Sequence, residues 1–535
     1  MTPDWRQFFP LKKPRPQQER ALDDLCSAAM SGKRVFLAEL GTGVGKSAVA
    51  VAFARWLDAY EQAPEGFAPG AVVLTAQKVL QDQYTRDFSF VRDLRSSTNY
   101  SCVRPEIGKT CAITSRVRKA FRMLSEESTK KVACYQCPYR IAKDAYARAE
   151  VGVTNYSYFL SESVYAGELP LRHLLVLDEA HNVEDEVRRW SSVSVSETDA
   201  TGLGVVLPRF DEREDRAVAW LAGEYRDALR AKIARVSARL IKIVEAGSFS
   251  PALDKLSEEN EELDKRLCQV NRIVERGGTV LFSGDREKGT VLFQPLDVSE
   301  ISSEVLYSRA DKVLLMTATV LDEKVFKRSA GLPAGSSFMS IPTPFSPKSF
   351  GVHLMPVGKM SRQGIEKSIE SIPKAIRKVL SLHPKEKGII HTANYAVARK
   401  VAEVKNPRLL VQLRASDREQ IIKEHMSSAL PTVIVSPGMT EGLDLRDDLG
   451  RFQVICKVPY PDMSDPVVKR KMDSDREWYA WRTVRALAQA MGRGVRSERD
   501  FTTTYILDEC YVDMLDRWGH MFPVHLTADM ALDEL

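Results

Sequence analysis

An α/β chain carrying two parallel sheets, with a helical insertion in the first, is what the sequence predicts, and two patterns predict it. Eight short apolar runs rich in Val, Ile and Leu recur, each followed by a turn signal or a helical pattern. They are RVFLA (34–38), AVVL (71–74), HLLVL (173–177) and KVLLM (312–316), then KGIIH (387–391), TVIV (432–435), VICKV (454–458) and TYIL (504–507). Continuous apolar strands alternating with helices belong to parallel sheets covered on both faces, so the first four and the last four form two such sheets. The second pattern lies between the third and fourth runs. Leu229, Ile233, Val236, Leu240 and Ile243 are spaced 4, 3, 4, 3, and Leu256, Leu263, Leu267, Val270 and Val274 are spaced 7, 4, 3, 4. Each set puts one apolar stripe on a helix, and the turn signal GSFSP (247–251) between them makes an antiparallel hairpin. A proline-rich stretch, IPTPFSP (341–347), reads as the linker between the two sheets.

A chain of 535 residues is too long for one core and suggests about three or four domains. With 44% hydrophobic and 28% charged residues it has the composition of a globular protein. The sequence holds no apolar run of the roughly 18 residues that cross a bilayer, and its N-terminus has no basic-then-apolar signal pattern. It is therefore expected to stay in the compartment that made it, the cytoplasm, and away from membranes. A net charge of +5 says little about partners, but its distribution says more. Between Cys102 and Arg140 nine basic residues stand against three acidic ones, leaving the rest of the chain near neutrality. Such a run is a solvated face or a nucleic-acid surface.

The segment AELGTGVGKSA (38–48) follows the first apolar run and precedes an Ala/Val-rich helical run. That is the setting of a phosphate loop: backbone N–H groups at a helix N-terminus meet the phosphates, Lys46 reaches the β and γ phosphates, and Ser47 holds Mg²⁺. The simple glycine template fails only at Leu40, which is expected to pack behind the loop. Asp178 and Glu179 of LDEAH (177–181) follow the third run, at the strand edge where parallel sheets bind ligands. Asp178 is placed to hold Mg²⁺ through water, and Glu179 to orient or deprotonate an attacking water. Near the C-terminus QAMGRGVR (489–496) puts Arg493 and Arg496 three apart, on one face of a helix, where arginines meet a γ phosphate or simply face solvent. Four of the eight cysteines, Cys102, Cys111, Cys134 and Cys137, fall within 36 residues with spacing x8, x22, x2. Four thiolates suit either a cubane cluster or a zinc ion.

Together and in order, these strings resemble the superfamily 2 helicases, specifically the XPD/DinG branch of iron-sulfur DNA helicases. RPQQ (15–18) resembles the adenine-reading element through Gln18, GTGVGKS (41–47) motif I, LTAQKVLQDQ (74–83) motif Ia, and DEAH motif II. Thr317-Ala318-Thr319 resembles motif III, SPGMTEGLDL (436–445) motif V with Glu441, Gly442 and Asp444, and QAMGRGVR motif VI. The resemblance implies two RecA-like motor domains. The first comprises residues 1–97, 141–190 and 301–340, interrupted by an iron-sulfur domain (98–140) and a helical arch (191–300), and the second spans 341–535. It implies ATP and Mg²⁺ held by Gln18, Gly41, Thr42, Gly43, Val44, Gly45, Lys46, Ser47, Gly442 and Asp444. Lys46, Asp178, Glu179, Gln489, Arg493 and Arg496 would then act in hydrolysis.

It also implies that Cys102, Cys111, Cys134 and Cys137 hold a 4Fe-4S cluster. Arg116, Arg118, Lys119 and Arg122 would contact the backbone of single-stranded DNA, since phosphate neutralisation supplies most non-specific affinity. Tyr100, Tyr135, Tyr139 and the aromatic cluster Trp478–Trp481 either stack on bases or pack in the core. The expected activity is a monomeric motor that moves 5′ to 3′ on single-stranded DNA and unwinds forked duplexes in repair or replication. With motif I only about 40 residues in, no nuclease activity is expected, and the compact form suggests a bacterial or viral protein. Two other readings remain: an RNA-directed DEAH motor, and a DNA-stimulated remodeller with a zinc domain that does not unwind.

Overall fold

The computed structural model describes residues 2–101, 137–167, 169–245, 251–275, 279–438, 445, 447–527 and 530–532. In chain order the strands are β1 (Val35–Leu40), β2 (Ala68–Thr75), β3 (Arg92–Asp93), β4 (Val151–Asn155), β5 (Arg172–Asp178), β6 (Val193–Ser196), β7 (Val280–Asp285), β8 (Thr290–Pro295) and β9 (Ala310–Thr317). There follow β10 (Ser337–Ile341), β11 (Phe350–Gly358), β12 (Gly388–His391), β13 (Leu409–Val411), β14 (Val433–Ser436), β15 (Phe452–Ile455), β16 (Thr502–Asp508) and β17 (Met530–Leu532). Two seven-stranded parallel sheets result, ordered β10-β1-β9-β5-β2-β4-β3 and β13-β14-β12-β15-β16-β11-β17. The eight apolar runs lie at β1, β2, β5 and β9 of the first sheet and β12, β14, β15 and β16 of the second.

The side chains of the first sheet explain why these runs are continuous. Leu37, Val72, Leu74, Leu175, Leu177, Val313 and Leu315 face one core, while Phe36, Ala38, Ala71, Val73, Leu174, Val176, Leu314 and Met316 face the other. Successive residues point to opposite faces and both faces are covered, so every position must be apolar. Each Val, Leu, Phe or Met among them contributes about 1.5–3 kcal/mol by leaving water. The first of these cores continues into Ile455, Val484, Leu487 and Met491, so one apolar layer joins the two sheets.

The insertion is not purely helical. Helices Arg226–Glu245 and Pro251–Glu275 share one core along Leu229, Ile233, Leu263, Leu267, Val270 and Val274, which is the part of the two stripes next to the rest of the insertion; Leu240, Ile243 and Leu256 of the stripes lie outside that core. A three-stranded antiparallel sheet, β6-β8-β7, lies under them and supplies Val193, Val195, Phe282, Val291 and Phe293 to the same core. Its strands alternate buried and exposed residues, so they carry no continuous apolar run to announce them. Among the described residues, no helix is long and apolar enough to cross a membrane.

Candidate active site

Strands β1, β5 and β9 are neighbours, and their C-terminal ends bring three motifs to one edge. The register sets Glu39 beside Thr317 and Asp178 beside Met316. Behind the loop that leaves β1, Leu40 is fully buried, packing as its place in the motif suggests. Gly43 (φ 87°) and Gly45 (φ 86°) lie in the left-handed region, which only glycine enters without strain. Helix α1 (Lys46–Tyr60) starts directly from Gly45, which has no side chain to cap the first N–H groups, so these are left to an anion. Gln18 braces the loop from outside: its carbonyl accepts the Arg15 N–H (2.9 Å), and its amide lies beside the Gly45 carbonyl (3.4 Å). The Arg15 guanidinium donates to the Gly43 carbonyl.

The Lys46 ammonium stands 3.5 Å from Glu179. Burial pushes the Glu179 carboxyl up, but Lys46 foremost, with Arg496 behind it, outweighs this and holds the group ionised below its ordinary range. Glu179 itself sits at φ 48°, a left-handed turn that swings it off the strand end towards Lys46. Asp178 is 5% exposed, and its two oxygens accept the Glu179 N–H (2.9 Å) and the Tyr84 hydroxyl (3.0 Å). Burial and the neighbouring Glu179 raise its carboxyl to about 6, against the pull of Lys46 and Tyr84. A divalent cation placed beside Ser47 and Asp178 would relieve this, and each Asp178 oxygen retains a second lone pair for it. Tyr84 had no signal in the sequence, because its part in the site depends on a contact made 94 residues away.

His181 connects the two sheets. The Gln489 amide donates to His181 Nε2 (2.8 Å), so Nε2 is an acceptor, the proton sits on Nδ1, and Nδ1 donates to the Thr317 hydroxyl (2.9 Å). Burial pushes the imidazole down to about 3, with the attraction of Glu179 opposing it. The folded state therefore resists protonation, so stability present above the ordinary value of 6.5 is lost as the pH falls from 6.5 towards 3. Substituting His181→Gln is expected to flatten the slope of unfolding midpoint against pH in that window. An unchanged slope would show that the ring is already charged when folded.

Gln489 lies in the last turn of the helix Arg476–Met491, and earlier residues of that helix reach back to the first sheet. The Arg485 guanidinium donates to the His181 carbonyl (2.6 Å), and Arg482 pairs with Asp185 (2.6 Å). Trp478 and Trp481 are buried here, donating to Glu184 (2.9 Å) and the Val320 carbonyl (2.8 Å). These two tryptophans join the two sheets and do not face solvent, while Tyr479 between them is half-buried and stacks on Tyr460. The helix stops at Met491 and Gly492 turns the chain, so Arg493 and Arg496 do not share a helical face as their spacing suggested: Arg493 is buried beside His391, and Arg496 is exposed, with its own N–H held by Asp500 (3.0 Å). The structure thus gathers Lys46, Ser47, Asp178, Glu179 and Gln489 at one seam and puts the charge of Arg496 within reach of Glu179.

Gly442 and Asp444 lie outside the described residues, as do Cys102, Cys111, Cys134, Arg116, Arg118, Lys119, Arg122 and Tyr135. Cys137 is described. It is buried at the N-cap of the helix Pro138–Arg148. Tyr139 is buried, hydroxyl to hydroxyl with Tyr158 (2.7 Å) and packed against Tyr100, so these rings form core and not a base platform. A separate group of possible ligands, Glu61, His173 and Asp311, already has cations of its own: Lys312 pairs with both carboxylates and Arg34 with Asp311 (3.0 Å).

Residues 90–200 match the DEAD_2 family and residues 372–529 the family described as Helicase C-terminal domain. Among curated proteins the chain is 31% identical to the ATP-dependent DNA helicase DDX11 of Mus musculus, covering 16% of this chain and 11% of that protein. It is 32% identical to the Regulator of telomere elongation helicase 1 homolog of Drosophila ananassae, covering 16% and 10%. The matched part spans about a tenth of the length of these relatives. In fold, an XPD helicase structure superposes with a TM-score of 0.63 at 14% identity, over 98% of this chain and 100% of that one. The structure of S. tokodaii Xpd4 gives 0.59 at 14% identity, over 97% and 100%.

Proposed function

Because the chain is an XPD/DinG-like superfamily 2 helicase with two RecA-like domains, we propose that it is an ATP-driven motor that translocates on single-stranded DNA and unwinds forked duplexes. The observation that carries this reading is the seam where Gln489 of one sheet meets His181 of the other, 2.8 Å apart, beside the Lys46–Glu179 pair. ATP in that seam touches both domains, so its arrival and loss alter how they meet. The loop N–H groups and Lys46 hold the phosphates. Glu179, kept ionised, orients or deprotonates the attacking water, and Arg493 and Arg496 offset the charge that builds on the transferred group. Ser47 and Asp178 would hold Mg²⁺, which supplies charge neutralisation across the phosphates.

The reading extends to direction of travel, 5′ to 3′, and to work in repair or replication, both by likeness to the family. It assigns Cys102, Cys111, Cys134 and Cys137 to a 4Fe-4S cluster, and Arg116, Arg118, Lys119 and Arg122 to the DNA backbone. The burial of Cys137 at a helix N-terminus suits such a ligand. The cluster would brace the inserted domain that splits the strands. Aerobically purified protein is therefore expected to be brown, with broad absorbance in the blue and matching iron and sulfide contents. Colourless protein with one zinc per chain would refute the cluster while leaving the motor assignment standing. The motor assignment is tested by ATP hydrolysis measured without nucleic acid, with single-stranded DNA and with single-stranded RNA. DNA is expected to stimulate most, and stimulation by RNA alone would make the chain an RNA motor.

A further inference from the structure

The connection between the two sheets lies on the phosphate loop itself. The Gly41 N–H donates to the Ile341 carbonyl (2.9 Å), which extends the β1–β10 ladder into the loop. A Cβ added to Gly41 would sit 2.4 Å from the backbone nitrogen of Thr343. The Thr343 hydroxyl donates to the Thr42 carbonyl (2.8 Å). A Cβ added to Gly43 would sit 2.2 Å from the Phe345 ring. Three successive loop residues are thus each met by the connection, and Gly43 is caught between the Arg15 guanidinium on its carbonyl and the Phe345 ring against its Cα. Phe345 is 6% exposed and belongs to the core that joins the two sheets, together with Phe350, where β11 of the second sheet begins five residues on.

We propose that Phe345 is a positioning residue for the nucleotide phosphates, propping Gly43 so that the loop is preformed only while the second domain is seated. This rests on the reading that the loop binds ATP. A glycine-rich loop loses conformational entropy when it closes on a ligand, and a ring packed against Gly43 removes part of that loss in advance. Because the ring is anchored in a core that the second domain shares, movement of that domain slackens the loop and favours release of the spent nucleotide.

The test uses the full chain with Phe345→Ala, Phe345→Leu and Thr343→Val. The readouts are the affinity for a fluorescent ADP analogue, KM and kcat for ATP at saturating single-stranded DNA, and the unfolding midpoint. Phe345→Ala is expected to weaken ADP binding and raise KM about tenfold with kcat changed by less than about twofold, because a preformed site contributes to binding. Phe345→Leu, which refills most of the space, recovers most of the affinity. Thr343→Val, which removes only the hydroxyl, raises KM about threefold and carries the test if Phe345→Ala does not fold. ADP affinity and KM unchanged in Phe345→Ala, or in Thr343→Val when Phe345→Ala does not fold, overturns the proposal. So does a loss of kcat alone in step with the unfolding midpoint. If the unsubstituted protein shows no ADP binding that depends on Lys46, the nucleotide reading fails. Binding that depends on Lys46 but ignores Phe345 and Thr343 overturns this proposal only.

Discussion

Lys46→Ala is expected to lower DNA-stimulated ATP hydrolysis by about 10²–10³-fold or more while single-stranded DNA binding persists. A charged donor removed from the site of developing charge costs about 3–4 kcal/mol in comparable enzymes, which corresponds to that factor. In this protein Lys46 also acts on the neighbouring carboxylate, since with Arg496 it holds Glu179 ionised against burial. Without it the Glu179 carboxyl loses its strongest stabilising charge and shifts upward, so a smaller fraction is competent to orient water near neutral pH. The two effects act in the same direction. DNA binding is spared because Lys46 points into the seam between the sheets. Vigorous hydrolysis by the variant, measured by phosphate release, would remove the loop from the mechanism.

Glu184→Ala is expected to destabilise the protein by about 3–5 kcal/mol and to separate the unfolding of the two domains, because breaking a buried ion pair leaves its partners charged and unpaired. Glu184 is 2% exposed and lies on the helix Val183–Ser191 that follows the DEAH strand. It pairs with Arg188 of its own helix (2.5 Å) and with Lys471 of the second domain, and it also accepts from the Trp478 indole (2.9 Å) and the Ser329 hydroxyl. Burial works against its charge, but Arg188, Lys471 and Arg482 hold the carboxyl far below its ordinary 4.5. The stability it confers is present above pH 4.5 and is lost as the pH falls into the range where the folded carboxyl protonates. Chemical unfolding followed by tryptophan fluorescence reads both effects, since Trp478 reports on the seam. A single unshifted transition would show that the apolar layer alone joins the domains. Glu184→Gln, which keeps the volume and some hydrogen bonds, is expected to fall between.

What the sequence made legible follows from how far apart the interacting residues stand. Strands β1, β2, β5, β9, β12, β14, β15 and β16 were readable because burial on both faces writes a run of Val, Ile and Leu into consecutive positions. Strands β10 and β11, SFMSI and FGVHLMPVG, mix exposed and buried residues and carry polar residues or glycine and proline, so no run marks them. The phosphate loop and the DEAH turn were likewise legible, since each gathers its chemistry from neighbours in sequence, whereas QAMGRGVR was only partly so: its helix stops at Met491 and leaves both arginines beyond it. Contacts such as Thr343 to Thr42, Tyr84 to Asp178 and Lys471 to Glu184 bridge 94 to 301 residues and leave no local trace. The tryptophans of the helix Arg476–Met491 illustrate the limit: their sequence favours a packed interface without excluding a nucleic-acid platform, and the partners at Glu184 and Val320 decide for the interface.

The most direct measurement of the central claim is strand displacement on a forked DNA duplex with a 5′ single-stranded tail, with and without ATP. A motor whose two sheets are worked by ATP in the His181–Gln489 seam predicts displacement that requires hydrolysable ATP and the 5′ tail, and that Lys46→Ala abolishes. Displacement that proceeds without ATP, or DNA-stimulated hydrolysis that separates no strands on any fork, would contradict it.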